Sequence, residues 1–174
     1  MRTPLLSLLA AAALLLAACS PTYNWRDVSS ESAPFRAMFP DKPASHTRAI
    51  DLNGLKVNMT MTAAQVEGTT FAVGAAEAPD AARAEAALAA MKTALVNNIG
   101  ATVTSEKART VASGSTRSAA IDIDARGKRD GVPMRLVGHF ESRDKRFYQV
   151  IVMGPEQSVS KENVDMFLSS FKLQ

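Results

Sequence analysis

Residues 146–154 read RFYQVIVMG. In an extended chain Tyr148, Val150 and Val152 share one face, and Phe147, Ile151 and Met153 share the other. A strand that is apolar on both faces belongs inside a sheet covered from above and below. The rest of the chain must therefore supply neighbouring strands and two covering layers.

The strands are read first on the N-terminal side. VPMRLVGHFES (132–142) alternates, with Val132, Met134, Leu136 and Phe140 expected inward and Arg135, His139 and Glu141 outward. RDK (143–145) joins it to the 146–154 strand. STRSAAIDIDARG (115–127) places Ala119, Ile121, Ile123 and Ala125 on one face and Asp122 and Asp124 on the other. GKRDG (127–131) turns that chain, and ATVTSEKA (101–108) reads as a further strand carrying Val103. Nearer the N-terminus, PFRAMFP (34–40) alternates Phe35, Ala37 and Phe39 and is stopped by Pro40 and Pro43. AIDLNGLKVNMTMTA (49–63) is a hairpin centred on Asn53-Gly54, a pair suited to a two-residue turn that needs positive φ at both positions. Leu55, Val57, Met59, Met61 and Ala63 line one face, and Lys56, Asn58, Thr60 and Thr62 the other. Glu67-Gly68 is a second turn, followed by TTFAVGAA (69–76), so residues 45–76 read as an antiparallel meander.

Two segments have the helical period. DAARAEAALAAMKTALVNNIG (80–100) has Asp80 as N-cap, alanine-rich helix formers, a closing Gly100 and a stripe of Leu88, Met91, Leu95 and Ile99. VSKENVDMFLSSFKL (159–173) has Ser160 as N-cap and an apolar stripe of Val164, Phe167, Leu168 and Phe171. The expected fold class is α+β: a mainly antiparallel sheet flanked by helices.

Three features recur together. These are the opening Phe35, Phe39, Pro40, Lys42 and Pro43, the mid-chain helix, and the ending FYQVIVMGPEQSVSKENVDMFLSSFKL (147–173), with Phe167, Ser170, Phe171 and Leu173. Over residues 35–174 their order resembles the PsbP-like α/β/α sandwich domains, typified by an extrinsic protein of photosystem II and a Ran-binding protein of yeast. The resemblance implies a binding or assembly module. It carries over no site residue, because a fold by itself transfers no activity.

The chain opens MRTPLLSLLAAALLLAACS, with Arg2 as its only charge before an uncharged run of 14 residues, Leu5 to Ala18. A bilayer-spanning helix needs about 20 residues, so this run has the form of a cleavable export signal. It ends in Leu16-Ala17-Ala18-Cys19, which resembles the lipobox of bacterial lipoproteins. That resemblance implies cleavage before Cys19, a lipid on its thiol and an acylated amino group. Cys19 is the only cysteine of the chain. It has no internal disulfide partner, and a thioether explains its presence in an exported protein. Ser20 resembles the outer-membrane-directed class, since Asp at this position retains lipoproteins at the inner membrane. The domain plan is a signal at 1–18, a tether at 19–34 and a single α+β domain at 35–174. Tyr23 and Trp25 within the tether either sit among lipid headgroups or pack back on the domain.

Composition narrows the function classes. Of the 174 residues, 20 are Lys or Arg and 17 Asp or Glu; loss of 1–18 removes only Arg2 and leaves 156 residues with a net charge of about +2. Nothing in that balance calls for nucleic acid. The basic stretches RGKR (126–129) and RDKR (143–146) fall in consecutive turns, which lie at opposite ends of a meander, and read as solvated turns. His46 and His139 lack metal-ligand spacing, and His139 is expected to join Arg135, Asp122 and Asp124 in a cross-strand charge cluster. Met59-Thr60-Met61 has the form of a Cu(I) motif, but its sulfurs occupy an inward face and read as core. No nucleophile elbow, Rossmann fingerprint or P-loop is present. The expectation is a non-enzymatic envelope lipoprotein without cofactor or metal. It is anchored in membrane lipid through acylated Cys19, faces the periplasm at the outer membrane, and binds an envelope protein partner. The alternative is a carrier of a small apolar or lipidic ligand, held where Met59, Met61, Leu88 and Met91 line a pocket.

Overall fold

The computed structural model describes residues 22–30, 33–113 and 116–174. Residues 1–18, read above as an export signal, and Cys19 lie outside the described residues. The described residues form a seven-stranded antiparallel sheet, a three-stranded sheet and two α-helices, so the α+β class and the dominance of antiparallel strands hold.

The large sheet consists of two meanders. The first contains β3 (Ala44–Leu52), β4 (Leu55–Val66) and β5 (Thr69–Glu77), and the second β6 (Thr102–Ser113), β7 (Thr116–Arg129), β8 (Val132–Arg143) and β9 (Arg146–Pro155). The spatial order is β3-β4-β5-β9-β8-β7-β6. After β5 the chain crosses the sheet through α1 (Ala81–Asn98), starts β6 at the far edge and works back until β9 pairs with β5. Three of the two-residue turns have positive φ at both positions: Asn53-Gly54 (55° and 90°), Glu67-Gly68 (50° and 76°) and Asp130-Gly131 (52° and 82°). This is the primed geometry that matches strand twist.

β9 has the two-faced burial that its sequence predicts. Phe147 and Ile151 belong to one apolar cluster, and Tyr148, Val150 and Val152 to the other. The first cluster is closed by α1, which packs over β7, β8 and β9. Asp80 caps this helix by accepting from the Arg83 amide at 2.8 Å, and Gly100 ends it at φ 55°. Ala84, Ala87, Leu88 and Met91 are its buried residues; the alanines let the helix lie close to the sheet. β7 makes a matching concession at Gly127. A methyl group there would lie 2.6 Å from the Ile99 carbonyl oxygen and 2.8 Å from the Ala101 Cα.

The second cluster is closed by α2 (Lys161–Ser170) and by the small sheet, β1 (Arg26–Ser30), β2 (Phe35–Phe39) and β10 (Lys172–Leu173) in the order β1-β2-β10. Ser160 caps α2 through the Asn163 amide at 3.2 Å. Phe167 stands edge-on to Phe39 at 5.2 Å and to Phe71 at 5.5 Å, and Phe171 meets Tyr148 at 5.8 Å. Such ring pairs add to what their area burial contributes.

Three expectations are corrected. The tether assigned to 19–34 is not free of structure in its described part. Residues 26–30 pair with β2 from Arg26↔Phe39 to Ser30↔Phe35, and Arg36 bonds Asp27 across the ladder. This edge strand is held by backbone hydrogen bonds more than by apolar side chains, so its polar sequence hides it. Tyr23 and Trp25 pack on the domain: they stack at 6.2 Å, and both stand edge-on to Phe71, at 6.3 and 6.0 Å. The fold thus begins by Tyr23 and not at Phe35. Val132, expected inward, is 46% exposed because it opens a hairpin at the sheet's end. Arg135, His139 and Glu141, expected outward, are half-buried, because their face also carries a covering layer.

Trp25 is the only tryptophan, so its fluorescence reports the seating of this N-terminal segment. Phe71→Ala should shift that emission to the red and cost about 3–5 kcal/mol in urea unfolding. Gly127→Ala should cost about 1–3 kcal/mol in the same assay, because the obstructing atoms are backbone.

Candidate functional site

The hairpin topology gives the sheet two distinct ends. At one end lie the 67–68 and 130–131 turns and the exit of β9 at Pro155. At the other lie the 53–54 and 144–145 turns and the exit of β5 at Glu77. The N-terminal segment enters at the first end. The Tyr23 phenol lies beside Glu67 and Asn163, and is raised above its usual value first by burial and then by the charge of Glu67.

The opposite end carries a cleft of about 320 Å³ lined by Glu77, Arg143, Asp144, Lys145, Arg146, Tyr148, Leu173 and Gln174. An adjoining hollow of about 160 Å³ shares Glu77, Arg146 and Tyr148 and adds Ala33, Asn58, Thr60, Ala75 and Ala76. The turn between β8 and β9 is held on both sides. The Ala78 amide donates to the Lys145 carbonyl at 2.8 Å, the Asp144 amide to the Arg117 carbonyl at 2.9 Å, and the Arg117 amide to the Asp144 carboxylate at 3.2 Å. This pinning sets Arg143 directly opposite Arg146. Tyr148 forms part of the wall and is only 2% exposed. Burial is the main cause that raises its phenol above the usual value; among nearby charges Arg146 and Arg143 act against the rise, and Glu141 and Glu77 add to it. Residues 143–146 are all exposed, as expected of a solvated turn, and its arginines also border this concave surface. The signal was in the sequence: a two-residue turn flanked by arginines must place them face to face.

The charge cluster expected around His139 is present on the face of β6, β7 and β8 opposite α1. His139 Nδ1 lies 2.5 Å from Asp122 Oδ1, and Nε2 lies 3.1 Å from Glu141 Oε2. Arg109 bonds Asp122 at 3.0 Å. Arg135 bonds Asp124 at 2.7 Å and donates to the Val159 carbonyl at 3.2 Å, which fastens the start of the α2 layer to the sheet. Burial lowers the His139 pKa, but the hydrogen bonds and charges of Glu141 and Asp122 outweigh it, so the net shift is upward. Its ring also rests 6.2 Å from Phe171. Within this cluster cations and anions pair with one another.

His46 is not brought to His139. It sits on β3 opposite Met61, on the α1 face of the sheet, whereas His139 is on the other face. Among the described residues no group of three or more His, Cys, Asp or Glu converges to hold a metal. Met59 is buried at 4% exposure, and the Met61 sulfur accepts from Gln149 Nε2 at 3.3 Å. Leu88 and Met91 are also buried in this cluster, so three of the four residues assigned to an apolar pocket are packed core. Open grooves of about 430 and 460 Å³ flank α1 and are lined largely by alanine and polar residues. The basic stretch 126–129 lies at the end opposite 143–146, and Arg126 pairs with Glu156. Among the described residues no helix is long and apolar enough to cross a membrane. Compared with known proteins, the chain matches no family model, and no curated protein is significantly similar to it.

The upward shift of His139 means that the folded state holds its proton more tightly than the unfolded state. The resulting stability is complete below the unfolded value of about 6.5 and is lost as pH rises through the folded value. Urea midpoints should therefore fall between about pH 6 and 8. His139→Gln should remove that slope and lower the midpoint at the acidic end, where Asp122 and Glu141 lose their cation.

Proposed function

We propose that the protein is a lipid-anchored module of the bacterial envelope that binds a protein partner and has no catalytic role. The observation that carries this reading is the lipobox Leu16-Ala17-Ala18-Cys19, which is separated by three residues from Tyr23, the first aromatic residue packed on the domain. Those residues, Ser20 to Thr22, allow Cys19 to lie at most about 14 Å from Tyr23. An acylated Cys19 would hold the domain against the bilayer with the 67–68 turn end inward and the cleft end facing the periplasm. Burying acyl chains at ~0.8 kcal/mol per CH₂ supports durable anchoring without a spanning helix. Ser20 favours the outer membrane in this reading.

The PsbP-like resemblance is part of the same proposal. A helix on each face of a mainly antiparallel sheet supports it, and domains of that kind serve in binding and assembly. The mutual pairing around His139 fits a structural role for the charges there. The carrier alternative draws no support from Met59, Leu88 and Met91, which fill the core.

Intact mass and membrane partitioning of the wild type beside Cys19→Ala test the proposal. The expected wild type begins at Cys19, carries acyl mass and sediments with membranes, while the variant lacks acyl mass and remains unprocessed. A wild type that is exported without acyl mass and recovered in the soluble fraction would overturn it.

A further inference from the structure

We propose that the cleft at the β8–β9 turn binds an anionic group, a carboxylate or a phosphate. This deepens the reading of the domain as a binding module but does not depend on the anchor. Arg143 and Arg146 are direct cross-strand partners, and like charges in that position repel. A hairpin keeps such a pair at a cost unless an anion lies between them. The anions already present do little to relieve it. Glu77 approaches Arg146 only to 3.9 Å, longer than a hydrogen bond, and Asp144 accepts from the Arg117 amide. Among the described residues Arg143 and Lys145 form no side-chain ion pair.

The second observation is Tyr148. Its ring is buried in the wall shared by the cleft and the adjoining hollow, and its hydroxyl, which bonds no described residue, is not among the buried polar atoms and so opens to solvent there. Beside the carboxylates of Glu77 and Asp144, the cleft brings together two guanidinium forks, an ammonium and a phenol, all able to donate. Guanidinium groups match the two oxygens of a carboxylate or phosphate. The volume of about 320 Å³ is at the lower end of small-ligand sites. Asn58 and Thr60 in the neighbouring hollow can receive a neutral polar extension of the same ligand.

The test is the urea stability of the purified full chain at fixed ionic strength, with chloride replaced by inorganic phosphate or by glutarate. Either anion should stabilise the wild type saturably, and the one that does so at lower concentration identifies the source chemistry. Arg143→Gln should be at least as stable as the wild type in chloride, since the repulsion is gone, and should need roughly tenfold more anion for the same gain. Lys145→Gln, a change at an exposed turn, provides a second weakened variant if Arg143→Gln folds poorly. Equal stabilisation of wild type and variants would show a general salt effect and overturn the proposal, as would no stabilisation at all. Intact mass of the same preparation keeps the two readings apart. Anion binding by an unacylated chain would leave the site standing without the anchor, and an acylated chain indifferent to both anions would remove the site alone.

Discussion

The pairing of β5 with β9 is the constraint on which the rest of the structure depends. Its register runs unbroken from Thr70↔Met153 to Glu77↔Arg146 and joins two meanders that the chain connects through α1. Because β9 lies in the middle, it is apolar on both faces, and each face demands a cover. The order of events along the chain follows from that demand. α1 has to cross one face to carry the chain to the far edge, and α2 has to fold back over the other face once β9 is complete. The small sheet fills what α2 leaves open, with Phe71 and Phe167 in contact across the layer.

The two faces are fastened by different physics. Under α1, alanines permit close approach over an apolar core contact, bordered by the ion pairs Lys92–Glu106 and Glu85–Arg117 from the helix to β6 and β7. On the α2 side, aromatic rings pack over β5 and β9, and toward β7 the cover gives way to the ionic network of Asp122, Asp124, Arg135, His139 and Glu141. Arg135 links these regimes by bonding both Asp124 and the Val159 carbonyl. The network is half-buried, so its net contribution is limited by the desolvation of each charge. Its clearest physical signature is the pH dependence that His139 imparts.

The sheet also has a direction. The N-terminal segment joins at the end that holds Glu67, and the cleft lies at the end that holds Arg143 and Arg146. In the proposed anchored state that polarity becomes an orientation, in which the end nearest the lipid is occupied by Tyr23 and the end farthest from it presents the cations of the 143–146 turn. Seating Tyr23 and Trp25 on Phe71 turns a segment that reads as a loose spacer into part of the domain.

Local patterns in the sequence determined the strands of both meanders, the turns at Asn53-Gly54 and Glu67-Gly68, both helices with their caps at Asp80 and Ser160, and the two-layered cover of β9. Each rests on an alternation, a helical stripe or a positive-φ pair contained within a few residues. The cluster around His139 was legible for the same reason, since strand periodicity places its members on one face. Tertiary structure alone decided the rest. β1 is an edge strand held by backbone hydrogen bonds, which polar side chains do not announce. The inward or outward status of Val132, Arg135 and Glu141 depends on where a cover ends, which alternation within one strand cannot say. The cleft needs Glu77, the 143–146 turn and Leu173 at one end of the sheet, three segments far apart in the chain that meet only because β9 pairs with β5 and the C-terminus folds back through β10.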